Sequence, residues 1–229
     1  LPKDVLTPLL PPGLTLDAYE GWGFLAIAMV KTRRLRPAFL PAFLGRDFFL
    51  SGYRIFARHR TAEGRELRGL RILRSDTDSR WMTFFGNLLT HYNYRKCDVD
   101  ERRTPDELQL SIATPEAEAD LSLRARLSAT AAAPPKGSPF PDLDVARRYA
   151  GPLPFTFDYE RATHSIVMIQ GVRSNWNPRP VEVEVEKNTF LTQGRFAGVP
   201  ATLANAFCIE DIPYSWKRGV REKLPETAA

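Results

Sequence analysis

FFLSGYRIFARHRTAEGRELRGLRILRS, residues 48–75, decides the fold, because it supports two incompatible readings. Leu67, Leu70 and Leu73 recur every third residue, and so do Arg65, Arg68, Arg71 and Arg74, which suits a helical stripe. SGYRIFARHR alternates instead, with Tyr53, Ile55 and Ala57 set against Arg54, Phe56 and Arg58. Ala62-Glu63-Gly64 is a turn signal, and Gly69 inside a helix would cost about 1 kcal/mol relative to alanine. The turn and the glycine favour a β-hairpin, with strands near 51–60 and 66–74.

Working outward, LPKDVLTPLLPPG reads as one short helix and a stop. LTLDAYEG and WGFLAIAMVKTRR read as two strands of a hairpin turning at Glu20-Gly21. LRPAFLPAFLG, with two prolines among aromatics, is a packing loop. SDTDSRWMTFFGNLLTHY predicts a helix with Ser75, Asp76 and Asp78 as cap candidates and Trp81, Phe84, Phe85, Leu88 and Leu89 on one face. Three strands follow between 93 and 128, then a Pro/Ala loop, then a short helix starting near Asp142. The last third is strands again. VEVEVE, Val181 to Glu186, alternates strictly and predicts half-buried sheet. The tail KRGVREKLPETAA is expected to fray. About ten strands and three short helices, with no repeat and no linker, predict one α+β domain over 1–229. It is mostly antiparallel β, a large curved sheet closing into a cone or barrel.

The bulk numbers exclude whole classes. A chain of 229 residues that is 43% hydrophobic is neither disordered nor fibrous. The net charge of +5 invites a nucleic-acid surface, but the arginines are dispersed and the longest basic run is KTRRLR, so no nucleic-acid partner is expected. Cys97 and Cys208 make no disulfide framework, and no Cys/His cluster has zinc spacing; no metal and no cofactor are expected. Reduced cysteines, with no signal-peptide pattern, point to a cytoplasmic protein. GFLAIAMV is far shorter than the ~20 residues of a membrane span, so no membrane association is expected. The homo-oligomeric state stays open.

The order LPPGLTLDAYEGWGFLAIAMVKTRRLRP, then YRIFARHR, then a hairpin and a Trp/Phe helix, resembles an uncharacterised bacterial family often called YqjF-like. ARRYAGPLPFTFDYERATHSIVMIQGVRSNWNPRPVEVEVEKNT resembles its later block. The resemblance spans roughly residues 1–190 and rests on motif order. It implies membership of the acetoacetate-decarboxylase-like superfamily, a sheet curled around an internal cavity, and a small organic, keto-acid-like ligand. It implies no reaction, since a fold does not fix an activity.

Acetoacetate decarboxylase activates a lysine with a neighbouring cation, in a Pro-Lys-Lys segment entering a strand after a helix. HYNYRKCD takes that place here but departs from the pattern. The proline is absent: with Asn93 in its place, Tyr94 and Arg95 fall where the two lysines belong, and only a shift by two residues brings in Lys96, so that the lysine pair has become Arg95-Lys96. Imine chemistry needs an amine pKa about three units below ~10.4. Adjacent strand residues point to opposite faces, so Arg95 and Lys96 are split unless a bulge intervenes. Two readings stand: Lys96 as a solvated strand residue, or a lyase or decarboxylase-type enzyme using Lys96, Arg95 or Tyr94 with a glutamate. Glu182, Glu184 and Glu186 share a face that is either solvated or turned into the cone. In the second case Glu182 joins Arg54 or Arg58 as ligand-binding residues, and Trp176 packs or caps the mouth. His59 and His164 are expected to be structural, and His91 and Cys97 form no nucleophile–base pair.

Overall fold

The structure, a computed structural model, describes residues 1–35, 43, 45–87, 92–128, 130–151, 153–174 and 176–225. Most of the packing loop expected over 35–45 lies outside them, as do Leu88, Leu89, His91 and the side chain of Phe85. Fifteen strands are described: β1 Leu14–Leu16, β2 Leu25–Leu35, β3 Arg46–Arg60, β4 Glu66–Thr77, β5 Tyr94–Lys96, β6 Asp98–Arg103, β7 Glu107–Ala113 and β8 Leu121–Arg126, then β9 Phe155–Glu160, β10 Ser165–Arg173, β11 Arg179–Pro180, β12 Glu182–Asn188, β13 Phe207–Cys208, β14 Tyr214–Trp216 and β15 Val220–Lys223.

The hairpin reading of residues 48–75 holds. β3 and β4 run antiparallel from the Arg60–Glu66 pair to the Leu50–Thr77 pair. Thr61 and Gly64 close the turn, Gly64 N–H donating to Thr61 O at 2.8 Å with Gly64 at φ +81°. The period of three proves not to be a stripe. Leu67, Leu70 and Leu73 enter three different apolar clusters on the two sides of the sheet. Arg68, Arg71 and Arg74 each meet a different carboxylate, Asp17, Asp158 and Asp76.

Nine strands form one curled half-barrel sheet, ordered β1-β3-β4-β9-β10-β14, with β2 beside β3, β5 beside β4 and β15 beside β10. It is mostly antiparallel, although β4 pairs with β5 and β9 in parallel. The curvature is as expected and reaches a half-barrel, while β6, β7, β8 and β12 form a second sheet of four strands. That sheet seals an apolar layer of Leu110, Ile112, Leu121 and Leu123 with Phe49 and Ile27 of the large sheet. The sequence could not separate the two sheets, because both are built from similar alternating strands.

Four local expectations are corrected. β1 and β2 do not pair as a hairpin. Both lie along the same edge of β3, β1 against Ala57–His59 and β2 against Arg46–Ile55. The Glu20-Gly21 turn is real but small, with mutual Tyr19–Trp22 backbone bonds at 2.9 Å. The Trp81 helix holds a π-helical turn, Met82–Gly86. Ser75 and Asp76 are buried in β4, and Ser79 Oγ accepts from Met82 N–H instead. Trp81 and Phe84 are exposed rather than buried. The tail does not fray at its start: β15 pairs with β10, and Leu224 plugs a cluster with Phe157 and Ile166. By contrast, Asp142 starts its helix as expected, accepting from Val145 N–H at 2.8 Å.

Cys97 is buried beneath the four-stranded sheet, and burial, with Asp76 nearby, pushes its thiol up to about 12. Roughly one molecule in ten thousand then carries the thiolate at pH 8. Burial also raises Cys208, which is half-buried. A disulfide reagent at pH 8 should therefore leave Cys97 unmodified in the native protein and react with both thiols after denaturation. Fast native reaction of Cys97 would refute the packing of this layer.

Candidate functional site

The register brings small side chains together around Arg54. On β2, Ala26 pairs with Arg54 and Ala28 with Gly52. On β4, Ile72 and Ser75 are the partners of Arg54 and Gly52, and on β5 Tyr94 is the partner of Ser75. Paired residues share a face of the pleat, so Tyr94 and Arg54 look the same way across alanine, glycine and serine. One irregularity sits at this point. Tyr53 pairs with Arg74 but Arg54 with Ile72, leaving Leu73 as an extra residue on β4. Such a bulge bends the strand and re-aims its side chains.

Arg54 is the exception among its neighbours. Arg58, Arg68, Arg71 and Arg74 all hold carboxylates. Arg54 is half-buried as a residue, yet its Nε is closed to solvent and has no hydrogen-bond partner among the described residues. The surroundings are phenolic. Burial pushes the guanidinium below its ordinary value, while Tyr94, Tyr214 and Tyr92 act in the other direction. Burial likewise raises the tyrosines, Tyr94 to about 12, although Arg54 draws all three downward. Their hydroxyls therefore stay protonated and can donate. The carboxylate nearest in influence to Tyr92, Asp158, is already held by Arg71 and by Tyr159 N–H.

The helix before β5 fixes Tyr94. Asn87 mimics a backbone partner: its Oδ1 accepts from Tyr94 N–H at 2.5 Å, and its Nδ2 donates to Tyr94 O at 2.9 Å. Gly86 gives room to the ring, since a Cβ there would stand 2.8 Å from Tyr94. Asn93, at φ 49°, takes the left-handed conformation that asparagine tolerates. Rings Tyr92 and Tyr94 then meet edge to face at 5.9 Å. A π-turn beside a bulge is the kind of irregularity that concentrates at functional sites.

The chain matches the DUF2071 family, described as an uncharacterized conserved protein (COG2071), over residues 1–210. It belongs to that family. No curated protein matches the chain. Among solved structures, this DUF2071 member is similar to an acetoacetate decarboxylase from Legionella pneumophila, with 13% identity, a TM-score of 0.49, and coverage of 99% of this chain and 80% of that one. It is similar also to an acetoacetate decarboxylase-like enzyme from Sphingomonas wittichii, with 16% identity, TM-score 0.49, and coverage of 96% and 83%. The enduracididine biosynthesis enzyme MppR follows, with 11% identity, TM-score 0.45, and coverage of 80% and 68%. At this distance the likeness carries no inference about reaction or ligand.

Of the residues that the sequence singled out, Arg54 and Tyr94 come together. Trp176 lies elsewhere on the same half-barrel, with the Arg173 guanidinium 3.8 Å over its ring. The others are committed differently. Lys96 Nζ donates to Cys97 O at 2.6 Å and pairs with Asp98 at 3.0 Å, as its solvated-strand reading implies. Arg95 points to the opposite face and pairs with Glu118 at 2.5 Å. Arg58 is taken by Asp17 and Glu66. Glu182 is exposed on the outer face of the four-stranded sheet, paired with Arg126 at 3.0 Å, so the glutamate row is turned out of the half-barrel. Tyr214 and Asn87 were missed. Tyr214 lies in IPYSWK, too short and proline-broken to read as a strand, and Asn87 looks like any polar helix residue.

Among the described residues, no helix is long and apolar enough to cross a membrane. Nor does any group of three His, Cys, Asp or Glu among them suit a metal ion. An open groove between Arg60–Ala62 and Glu222–Pro225 lies away from Arg54, and Glu222 there already accepts from Ala62 N–H.

Proposed function

We propose that this chain binds a small organic acid of the keto-acid type, with its carboxylate received by Arg54 and the hydroxyls around it. One observation carries the reading: the Nε donor of Arg54 is sealed from water and unpaired. A buried donor without an acceptor is costly, and native proteins rarely keep one without a use. A carboxylate supplies the acceptor, and the planar guanidinium can hold it in two-point fashion. The tyrosines add neutral donors and an apolar wall, the usual composition of a small-molecule site. Free thiols fit the same reading in a reducing, cytoplasmic setting. Catalysis through an imine finds no comparable support, because Lys96 Nζ is spent on Cys97 O and Asp98.

Isothermal titration with pyruvate and acetoacetate as probes tests the reading. Arg54→Met should weaken binding by about tenfold to a hundredfold, as expected for a lost charge-assisted hydrogen bond. Equal affinity for the variant and the parent would refute it. The site also makes a pH prediction. Tyr94 loses its proton only near 12, and a keto-acid carboxylate is ionised throughout the neutral range. Affinity should therefore stay flat from about pH 6 to pH 9. A step near pH 7 would point to a histidine instead.

A further inference from the structure

We infer that the ligand is a 2-oxo acid, whose keto oxygen accepts from the Ser75 hydroxyl while its carboxylate sits on Arg54. This rests on the reading of Arg54 as a carboxylate site and adds the donor that selects among keto acids.

The placement comes from the register. Across β2, β3, β4 and β5 one row reads Ala28, Gly52, Ser75 and Tyr94. Paired residues share a face, and so do residues two apart on a strand, so this row lies beside Arg54 on the same face. Gly52 contributes no side chain to the row. A Cβ there would stand 3.6 Å from Arg54 Nε and 3.8 Å from Ser75 Oγ. Both polar atoms therefore border one small space, with Ala28 on one side of it in the row and Tyr94 beyond Ser75 on the other. The same Cβ would stand 2.9 Å from Arg74 O, so the glycine also lets two backbones approach.

That approach does not account for the serine. Ser75 is only 3% exposed, and its hydroxyl has no hydrogen-bond partner among the described residues. A hydroxyl left alone in such a place is costly, as the Arg54 Nε is, and alanine would avoid the cost. Two donors on one small space ask for two acceptors close together on the ligand. A 2-oxo acid carries them on neighbouring carbons. A 3-oxo acid holds its keto oxygen one carbon further from the carboxylate, and a simple fatty acid has none. Either of these leaves the buried hydroxyl unpaired, which is the source of the selectivity.

The test is titration calorimetry on the full chain, with 2-oxobutyrate against its isomer acetoacetate and against butyrate, all monoacids on the same four-carbon chain. In the parent, 2-oxobutyrate should bind about threefold to tenfold tighter than either, the usual worth of one neutral hydrogen bond. Ser75→Ala and Ser75→Cys should each bring 2-oxobutyrate to within about twofold of butyrate, and leave butyrate within about twofold of its parent affinity. Arg54→Met should weaken all three. Melting curves show that each variant is folded, and two substitutions at 75 guard against one that is not. Equal affinity for 2-oxobutyrate and acetoacetate in the parent, or a preference that survives in the Ser75 variants, overturns the 2-oxo acid and the role of Ser75 while the Arg54 site stands. No binding of any of the three, or binding indifferent to Arg54→Met, overturns the site and the 2-oxo acid with it.

Discussion

Arg54→Met should raise the melting temperature of the unliganded protein while weakening carboxylate binding about tenfold to a hundredfold. Methionine fills much of the volume of arginine and brings no charge into the sheet. The substitution removes a buried donor without a partner, a defect worth about 1–2 kcal/mol here. For a chain of this size that is a rise of roughly 2–8 °C. A gain in stability bought by a loss of binding is the signature of a functional residue. Structural residues show the reverse: they lose stability when truncated. A fall of more than about 1 kcal/mol in Arg54→Met, read by thermal melting, would assign Arg54 to the scaffold and leave the site without its anchor.

Asp17→Ala should be among the most damaging single changes in the chain. Asp17 is fully buried, and each of its oxygens receives a separate guanidinium, Arg58 at 2.7 Å and Arg68 at 2.6 Å. Arg68 also donates to Arg148 O, and its guanidinium lies 5.2 Å from the centre of the Tyr149 ring. One carboxylate therefore ties the excursion after β1 to β3, β4 and the segment after the Leu143–Arg147 helix. Breaking a buried pair from one side costs about 3–5 kcal/mol. The two arginines are each about a third exposed and can rehydrate in part, so the loss should fall near 3 kcal/mol. The urea midpoint should drop with little change in slope. A loss below about 1 kcal/mol would contradict this account of how the sheet edge is held.

Alternation carried most of what the sequence revealed. It made β3 and β4 strands against a tempting period of three, and it placed Tyr94 and Arg95 on opposite faces. The structure agrees, with Tyr94 beside Arg54 and Arg95 out at Glu118. Pairing partners were less legible. β1 and β2 look like hairpin neighbours, yet each finds a longer ladder on β3. Trp81 and Phe84 show why an apolar pattern alone can mislead: their spacing suits a buried stripe, but in a helix that carries a π-turn both are exposed. Arg54 was flagged as a partner for glutamates, whereas its Nε has no hydrogen-bond partner among the described residues. That distinction depends on where every nearby carboxylate ends up. Asp17 lies 41 and 51 positions from its two arginines and Asp158 lies 87 from Arg71, beyond the reach of any local pattern.

The most direct measurement is a crystal structure of the protein soaked with acetoacetate. The account predicts carboxylate density within hydrogen-bond distance of Arg54 Nε, with Tyr94 or Tyr214 donating to the same ligand. A carboxylate bound elsewhere, or Arg54 Nε hydrogen-bonded to the protein's own backbone with no anion beside it, would contradict it.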